Sequence, residues 1–336
     1  MRKWAAASVI VAILATVWSG AWFVIAQQTE RAIDRWIQDE KTRDREWSCG
    51  HRSMRGFPFD LQVVCEKPTF NSKFGPIQTS SAERLNALAN IFGPRDITFT
   101  IDGPLKLTGP DGSAALRWNR LDGSLKVRTD APDLSLRIQG LSIVESSGNI
   151  ADWIGSSVTN LAVRMQRSPD RAPGADAQTL TIDISGLKAA PVDAMFDNKE
   201  PLQANMTAII LNAGSATVGT LAQRVDRWSA SGGRLQVGSL SIAKGESLLN
   251  ASGDLSLDER RRPSGPISLR VSGIQPVIAR LKLPAAPLAI EGLLRGTAGR
   301  NRGSSLVENR TLPLELRAGR LYVGPIRTPV VIPPLF

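Results

Sequence analysis

From Ile97 to Val323 the chain returns again and again to one pattern, apolar and polar residues in alternation. Successive side chains of a strand point to opposite faces, so each run reads as a half-buried strand. Ile97, Phe99 and Ile101 form one run. Leu134, Leu136 and Ile138 follow, then Leu161, Val163 and Met165, then Leu180, Ile182 and Ile184, then Met206, Ala208 and Ile210. The longest is Leu249, Ala251, Gly253, Leu255 and Leu257, which turns over Asp258 to Gly265 and returns as Ile267, Leu269 and Val271. Leu116 and Trp118 lead to Leu121-Asp122-Gly123, a turn signal, and Leu125 and Val127 return, predicting a hairpin. The phase slips by one residue at Gly238-Ser239 and again at Ala318-Gly319, where bulges that bend long strands are expected.

Helical signals are few. Ser80 to Phe92 combines a capping box (Ser80 with Glu83), an apolar spacing at Leu85, Leu88 and Phe92, and a Gly93-Pro94 stop, predicting a helix. A second helix is expected from Ser215, with Val218, Leu221, Ala222, Val225 and Trp228 on one face, ending before Gly232-Gly233. Short helical pieces are expected near Asn149–Ile154 and Gln275–Leu281, and a surface loop over Arg167–Gln178. The fold class is therefore α+β, mostly antiparallel β: a long curled sheet or two packed sheets with a few short helices. Many strands with one apolar face and few helices to cover them leave three outcomes. The sheet curls over itself, packs against a second sheet, or leaves an apolar groove open to a ligand.

Ahead of all this, Trp4 to Ala26 carries no charged residue. About twenty helical residues cross the hydrocarbon core, so this stretch predicts a single transmembrane helix. Arg2 and Lys3 before it place the N-terminus in the cytoplasm, and Trp4, Trp18 and Trp22 suit interfacial belts. A signal peptide cleaved after Ala26 is the rival reading, against which the length of the apolar run counts. Residues 27–47 read as an amphipathic helical extension, with Ala32, Ile33, Trp36 and Ile37 as its stripe. This extension either docks on the following domain or lies along the membrane. Residues 48–336 form the β-rich exported domain, in which two halves would meet near 167–178.

The chain carries a net charge of +10, which becomes +8 once Arg2 and Lys3 are set aside. The cations are scattered and no recognition motif accompanies them, so nucleic acid is not an expected partner. An anionic membrane surface is the better electrostatic match, and plain solubility is the alternative. The two cysteines, Cys49 and Cys65, fit one disulfide in an oxidising compartment. His51 is the sole histidine, and with these cysteines it falls short of a zinc set. No nucleophile elbow, phosphate loop, dinucleotide fingerprint or metalloprotease motif occurs, so no catalytic residue, cofactor or metal is assigned.

The segment Gly56-Phe57-Pro58-Phe59-Asp60-Leu61, running on to Cys65 and Pro68 behind an N-terminal anchor, resembles the Gly-aromatic-Pro-Phe motif of a Gram-negative envelope family, domain of unknown function 2125. The similarity continues through Gly103-Pro104, Pro110-Asp111-Gly112, Trp118–Leu125, Gly233-Arg234-Leu235, Gly253-Asp254-Leu255-Ser256-Leu257 and Gly265-Pro266-Ile267. Leu312–Leu316 and Gly319–Pro325, followed by a Pro-rich apolar tail, are similar to the C-terminal ends of AsmA-like envelope proteins. That second resemblance implies a curled sheet with a greasy interior and a role in moving phospholipid. Gly56, Phe57, Pro58 and Phe59 enter as structural motif residues. The expected protein is a single-pass inner-membrane protein with a periplasmic C-terminal domain, a non-enzymatic module binding phospholipid or another apolar ligand. A protein-binding scaffold and a carboxylate-based hydrolase are the alternatives.

Overall fold

Antiparallel strands joined by short turns make up most of the computed structural model, which describes residues 2–73, 75–127, 132–168, 176–216, 221–273, 310–324 and 326–334. The chain divides into two compact units, residues 1–127 with 144–151 and residues 128–143 with 152–336.

The first unit opens with α1 (Arg2–Lys41), one unbroken helix. Helical structure stops at Lys41, and Arg45–Ser48 is a strand where the sequence predicted helix as far as Trp47. The strands of this unit come as extended runs interrupted midway. β1 (Arg45–Ser48) continues as β2 (His51–Arg55), and β3 (Asp60–Glu66) as β4 (Thr69–Ser72). β5 (Thr79–Ser81) continues as β6 (Arg84–Asn90), β7 (Gly93–Asp102) as β8 (Leu105–Gly109), and β9 (Gly112–Arg117) as β10 (Arg120–Lys126). On one side of the interruptions β1, β4, β5, β8 and β9 pair in that order. On the other, β2, β3, β6, β7 and β10 do the same. The breaks at Cys49-Gly50, Lys67-Pro68, Ala82-Glu83, Gly103-Pro104 and Trp118-Asn119 thus line up from strand to strand. Pro68 and Pro104 have no N–H to give a ladder, which suits them to this line. The Trp118 indole lies against Gly103 and donates to the Ile101 carbonyl at 2.9 Å.

Two sequence expectations fail here. Ser80–Phe92 is β5, β6 and the turn into β7 rather than a helix. In register, Leu85, Ala87 and Ala89 sit between Cys65, Val63 and Leu61 on one side and Ile101, Phe99 and Ile97 on the other. Two of those three inward positions are alanine, so the period of two is faint beside the helix-like spacing of Leu85, Leu88 and Phe92. Leu121-Asp122-Gly123 is likewise no turn, because Asp122 and Gly123 lie within β10, opposite Thr100 and Phe99. Gly123 is needed for another reason. A Cβ there would stand 2.3 Å from Cζ of Phe99, whose ring crosses that position.

The second unit is a meander of β11 (Asp133–Ser146), β12 (Ser157–Arg167), β13 (Ala177–Leu187), β14 (Leu202–Leu211), β15 (Arg234–Lys244), β16 (Ser247–Leu257), β17 (Pro263–Ser272), β18 (Arg310–Arg317), β19 (Arg320–Val323) and β20 (Ile326–Val331). The last residues of β11, Val144 to Ser146, count with the first unit. Each strand pairs antiparallel with the next. Among the described residues no pairing joins β20 back to β11, so the sheet is open. The mostly antiparallel α+β expectation therefore holds.

The bulge expected at Gly238-Ser239 is present: Val237 pairs with Gly253, and the next partners are Leu240 and Ala251. The slip is absorbed, so Leu235, Val237, Leu240 and Ile242 keep to one face. Ala318-Gly319 differs from expectation. Arg317 pairs with Arg320, making these two residues a tight hairpin turn rather than a bend. Both have positive φ (49° and 73°), as a two-residue hairpin of the right twist requires.

Among the helices, a 3-10 turn at Gly148–Trp153 matches the short piece expected near Asn149. α2 (Ala190–Phe196) was not anticipated, and α3 (Leu221–Ala230) falls within the segment expected from Ser215. Gln275–Leu281 and most of the predicted loop over Arg167–Gln178 lie outside the described residues. α2 is tied to the sheet by Lys244, whose side chain is wholly buried. Its Nζ donates to Asp193 Oδ1 of α2 at 2.6 Å and to the Glu200 carbonyl at 2.5 Å.

Removing one partner of a buried ion pair strands the other charge, at a typical cost of about 3–5 kcal/mol. Asp193→Ala should therefore lower the unfolding free energy by about 3 kcal/mol, whereas replacing both partners with apolar residues of similar volume, Asp193→Leu with Lys244→Met, should be close to neutral. Urea titration of the full chain in detergent, followed by tryptophan fluorescence, distinguishes the two outcomes.

Candidate functional site

Two features stand out from the residues upward: a clasp on α1 in the first unit and a partly covered apolar face in the second. The clasp begins where α1 changes character. Every described residue from Ser8 to Val17 is exposed. From Trp18 onward Trp18, Trp22, Ile25, Ala26, Thr29, Ile33, Ile37 and Glu40 turn inward, at the spacing of one helix face. Trp22 and Ala26 form a buried cluster with Leu61 of β3, bordered by Ile25, Met54 and Ile91. Trp18 Nε1 donates to the Pro58 carbonyl and Trp22 Nε1 to the Asp60 carbonyl, both at 3.0 Å.

Pro58 belongs to the turn between β2 and β3, the Gly56-Phe57-Pro58-Phe59 motif, and Asp60 opens β3 directly after it. Gly56 has φ +103°, and a Cβ there would come within 2.7 Å of the Asp60 carbonyl oxygen, so the turn as built requires glycine. The Asp60 N–H closes it on the Gly56 carbonyl at 2.9 Å. Further along α1, Asp34 pairs with Arg52 at 2.6 Å and Glu40 with Arg45 at 2.7 Å. The Trp36 ring meets Trp47, which meets Phe70. The extension after Ala26 thus docks on its own domain. Cys49 and Cys65 form the expected disulfide, joining the first break line to β3. His51 is exposed at the start of β2. No group of three or more metal-binding side chains occurs among the described residues.

In the second unit the strand registers align the apolar positions into rows across seven strands, β11 to β17. The central row is Leu136, Val163, Ile182, Met206, Leu240, Ala251 and Leu269. One flanking row runs Ile138, Leu161, Ile184, Ala204, Ile242, Leu249 and Val271, and the other Leu134, Met165, Leu180, Ala208, Val237, Gly253 and Ile267. Ile138, Ala208 and Val271 of the flanking rows are buried, but every member of the central row is partly exposed. The opposite face carries Asn160, Asp183, Ser185, Gln203, Asn205, Ser239, Asn250, Ser252, Ser268 and Arg270, which line two shallow depressions of about 220 and 260 Å³.

Helices close the two ends of the apolar face. Lys244 follows Leu240 and Ile242 on that face, so its bond to Asp193 draws α2 over one end. At the other end Trp228 of α3 occupies the space where a Cβ of Gly233 would point, and its Nε1 donates to the Leu211 carbonyl at 2.7 Å. Arg261 holds α3 from below with two bonds to the Asp226 carboxylate, at 2.7 and 2.9 Å. Arg261 sits in the turn between β16 and β17, which Asp258 organises. Burial alone would raise the Asp258 carboxyl, but hydrogen bonds from the Arg262 side chain and the Arg262 and Arg260 backbones outweigh it and hold it below its usual range. That stabilisation is complete above the ordinary carboxylate value and is lost as pH falls through the lower, folded one.

The model of a family described as uncharacterized proteins conserved in bacteria, DUF2125, matches residues 22–330. The chain belongs to this family. The match starts at Trp22, so it takes in the docked part of α1 except its first turn at Trp18, and not the exposed part before that. No curated protein and no solved structure matches the chain. The motif and the disulfide are legible in the sequence, but Trp18 and Trp22 carry only the signal of interfacial rings. Phe92, at a hairpin tip, lies in a segment whose spacing is helical. The pairing of Lys244 with Asp193 left no local signal, since 51 residues separate them.

Replacing a buried tryptophan by alanine typically costs about 3–5 kcal/mol. Trp22→Ala should accordingly release the docked helix, and trypsin should cut at Arg31, Arg35, Lys41 or Arg43 at least about tenfold faster than in the parent chain. Equal cleavage rates would show that the clasp does not hold α1.

Proposed function

We propose that this protein is a single-pass inner-membrane protein, N-terminus in the cytoplasm and β-rich units in the periplasm, and that it binds an acyl chain of a membrane lipid along the central apolar row. The role is non-enzymatic. The observation that carries it is the row itself, seven apolar side chains in register and none fully covered. Completing the burial of a Val, Leu or Ile side chain gains roughly 1.5–3 kcal/mol, so a partly covered row leaves on the order of 5 kcal/mol for an occupant. With strands about 4.8 Å apart the row is roughly 29 Å long. One leaflet of the hydrocarbon core is about 15 Å thick, so an extended acyl chain fits within the row.

Other features support the address. α1 is, among the described residues, the one helix long and apolar enough to cross a membrane. Cleavage after Ala26 would remove Trp22 and Ala26 from the buried cluster they form with Leu61, which favours a retained anchor. The Cys49–Cys65 disulfide fits an oxidising periplasm. A lipid-moving role like that of AsmA-like proteins is part of the same proposal, and the meander of the second unit is compatible with it.

The test compares lipid retained by the parent chain and by the Ala251→Glu/Leu269→Glu variant, both purified in mild detergent and analysed by mass spectrometry. Lipid held around the anchor is common to both. The proposal expects at least about a fivefold drop in bound lipid for the variant, in line with a carboxylate's cost in an apolar site. Equal amounts would contradict it.

A further inference from the structure

The clasp on α1 begins too early for the first unit to stand clear of the membrane. This inference rests on the anchor reading above. With Lys3 at the cytoplasmic border, a helix crossing a core of about 30 Å at 1.5 Å per residue reaches the far border near Phe23. Yet the first unit already grips Trp18 and Trp22. The stretch free of it, Trp4 to Val17, covers only about 21 Å. Tilting lengthens the path through the core and so draws the unit deeper.

The parts of the domain at the level of Trp18 and Trp22 are two turns. One is the Gly56–Phe59 motif, and the other joins β6 to β7 through Ile91, Phe92 and Gly93. Their rings are bare: Phe57 is 55% exposed, Phe59 53% and Phe92 74%. They cluster on the helix, with Trp18 5.8 Å from Phe92 and 6.0 Å from Phe59, and Trp22 5.7 Å from Phe57. Phe23, 73% exposed, continues the patch along α1. The patch is therefore continuous with the membrane-crossing stretch. Neither turn contains an acidic residue, and Asp60, which follows the first, is engaged by Asn90 at 3.0 Å. Arg55, one residue before the motif, and Arg95, three after Phe92, are exposed and have no side-chain partner among the described residues. Bare rings flanked by free arginines match a lipid interface, rings among acyl chains and guanidinium groups at the phosphates.

We propose that Phe57, Phe59 and Phe92 are immersed in the periplasmic leaflet of the membrane that α1 crosses, so that the first unit is embedded in that leaflet and not held above it on a stalk.

The test uses the full chain in phosphatidylcholine–phosphatidylglycerol vesicles, with Phe92→Cys carrying an environment-sensitive nitrobenzoxadiazole label. Asn71→Cys, exposed on β4 beyond the break line, serves as the control. The label at 92 should emit to the blue of the control and lose at least half its intensity to lipids bearing a nitroxide near the headgroup, while the label at 71 is unquenched. Phe59→Cys carries the same measurement independently, and circular dichroism identifies any variant that has misfolded. Water-like, unquenched emission at 59 or 92 in chains that float with the vesicles overturns the inference and leaves the anchor standing, the bilayer then thinning to meet the short helix. Chains that do not float overturn the anchor reading itself, and this inference with it.

Discussion

An antiparallel meander satisfies its backbone hydrogen bonds strand by strand, but it makes two faces, and the apolar one has to be kept from water. Everything distinctive in this chain follows from how that face is covered. The first unit uses α1. A single stripe from Trp18 to Glu40 lies against β1, β2, β3 and the turn between β2 and β3, and Trp22, Ala26 and Leu61 are buried there. The second unit has no helix of that length among its described residues. α2 and α3, of 7 and 10 residues, reach only the two ends of its face. The central row between them is left partly exposed along its whole length.

The helix that covers one face also carries the chain's most apolar stretch. Its exposed part, Ser8 to Val17, meets its docked part at Trp18, and the helix runs unbroken through the junction, Gly20 included. A rigid helix transmits position, so the clasp at Pro58 and Asp60 sets the depth of the first unit wherever the exposed part is anchored. The Gly-aromatic-Pro-Phe motif is thus best understood as the grip on that helix. Gly56 closes the turn, the Pro58 and Asp60 carbonyls take the two indole N–H groups, and Phe57 and Phe59 extend the ring cluster outward.

Much of the fold was legible in the sequence because period two is a direct print of strand geometry. The runs through Leu161, Leu180, Met206 and Leu249 all became strands, and the slip at Gly238-Ser239 marked a bulge. The misreadings share one cause, local signals outvoted by neighbours distant in sequence. Ser80 to Phe92 has a capping box and a helical spacing, but its backbone is claimed by β3, β4, β7 and β8 on either side. Asp122-Gly123 is a turn signal whose glycine answers to the ring of Phe99. Of the candidate site, Gly56 to Phe59 and the cysteine pair could be read from the sequence. The rows of the second unit could be read only as apolar strand faces, because their alignment depends on registers that a sequence does not state.

An acyl-chain site requires that the central row be dried by a ligand and not by the protein itself. Single cysteines at Ala251, on the row, and at Ser268, on the opposite face of the neighbouring strand, report this by maleimide reactivity in the full chain, since Cys49 and Cys65 are bonded to each other. With lipid on the row, Ala251→Cys is protected as purified and becomes reactive after exhaustive delipidation, while Ser268→Cys reacts in both states. Protection at 251 that survives delipidation would mean a sealed core, and would contradict an acyl-chain site.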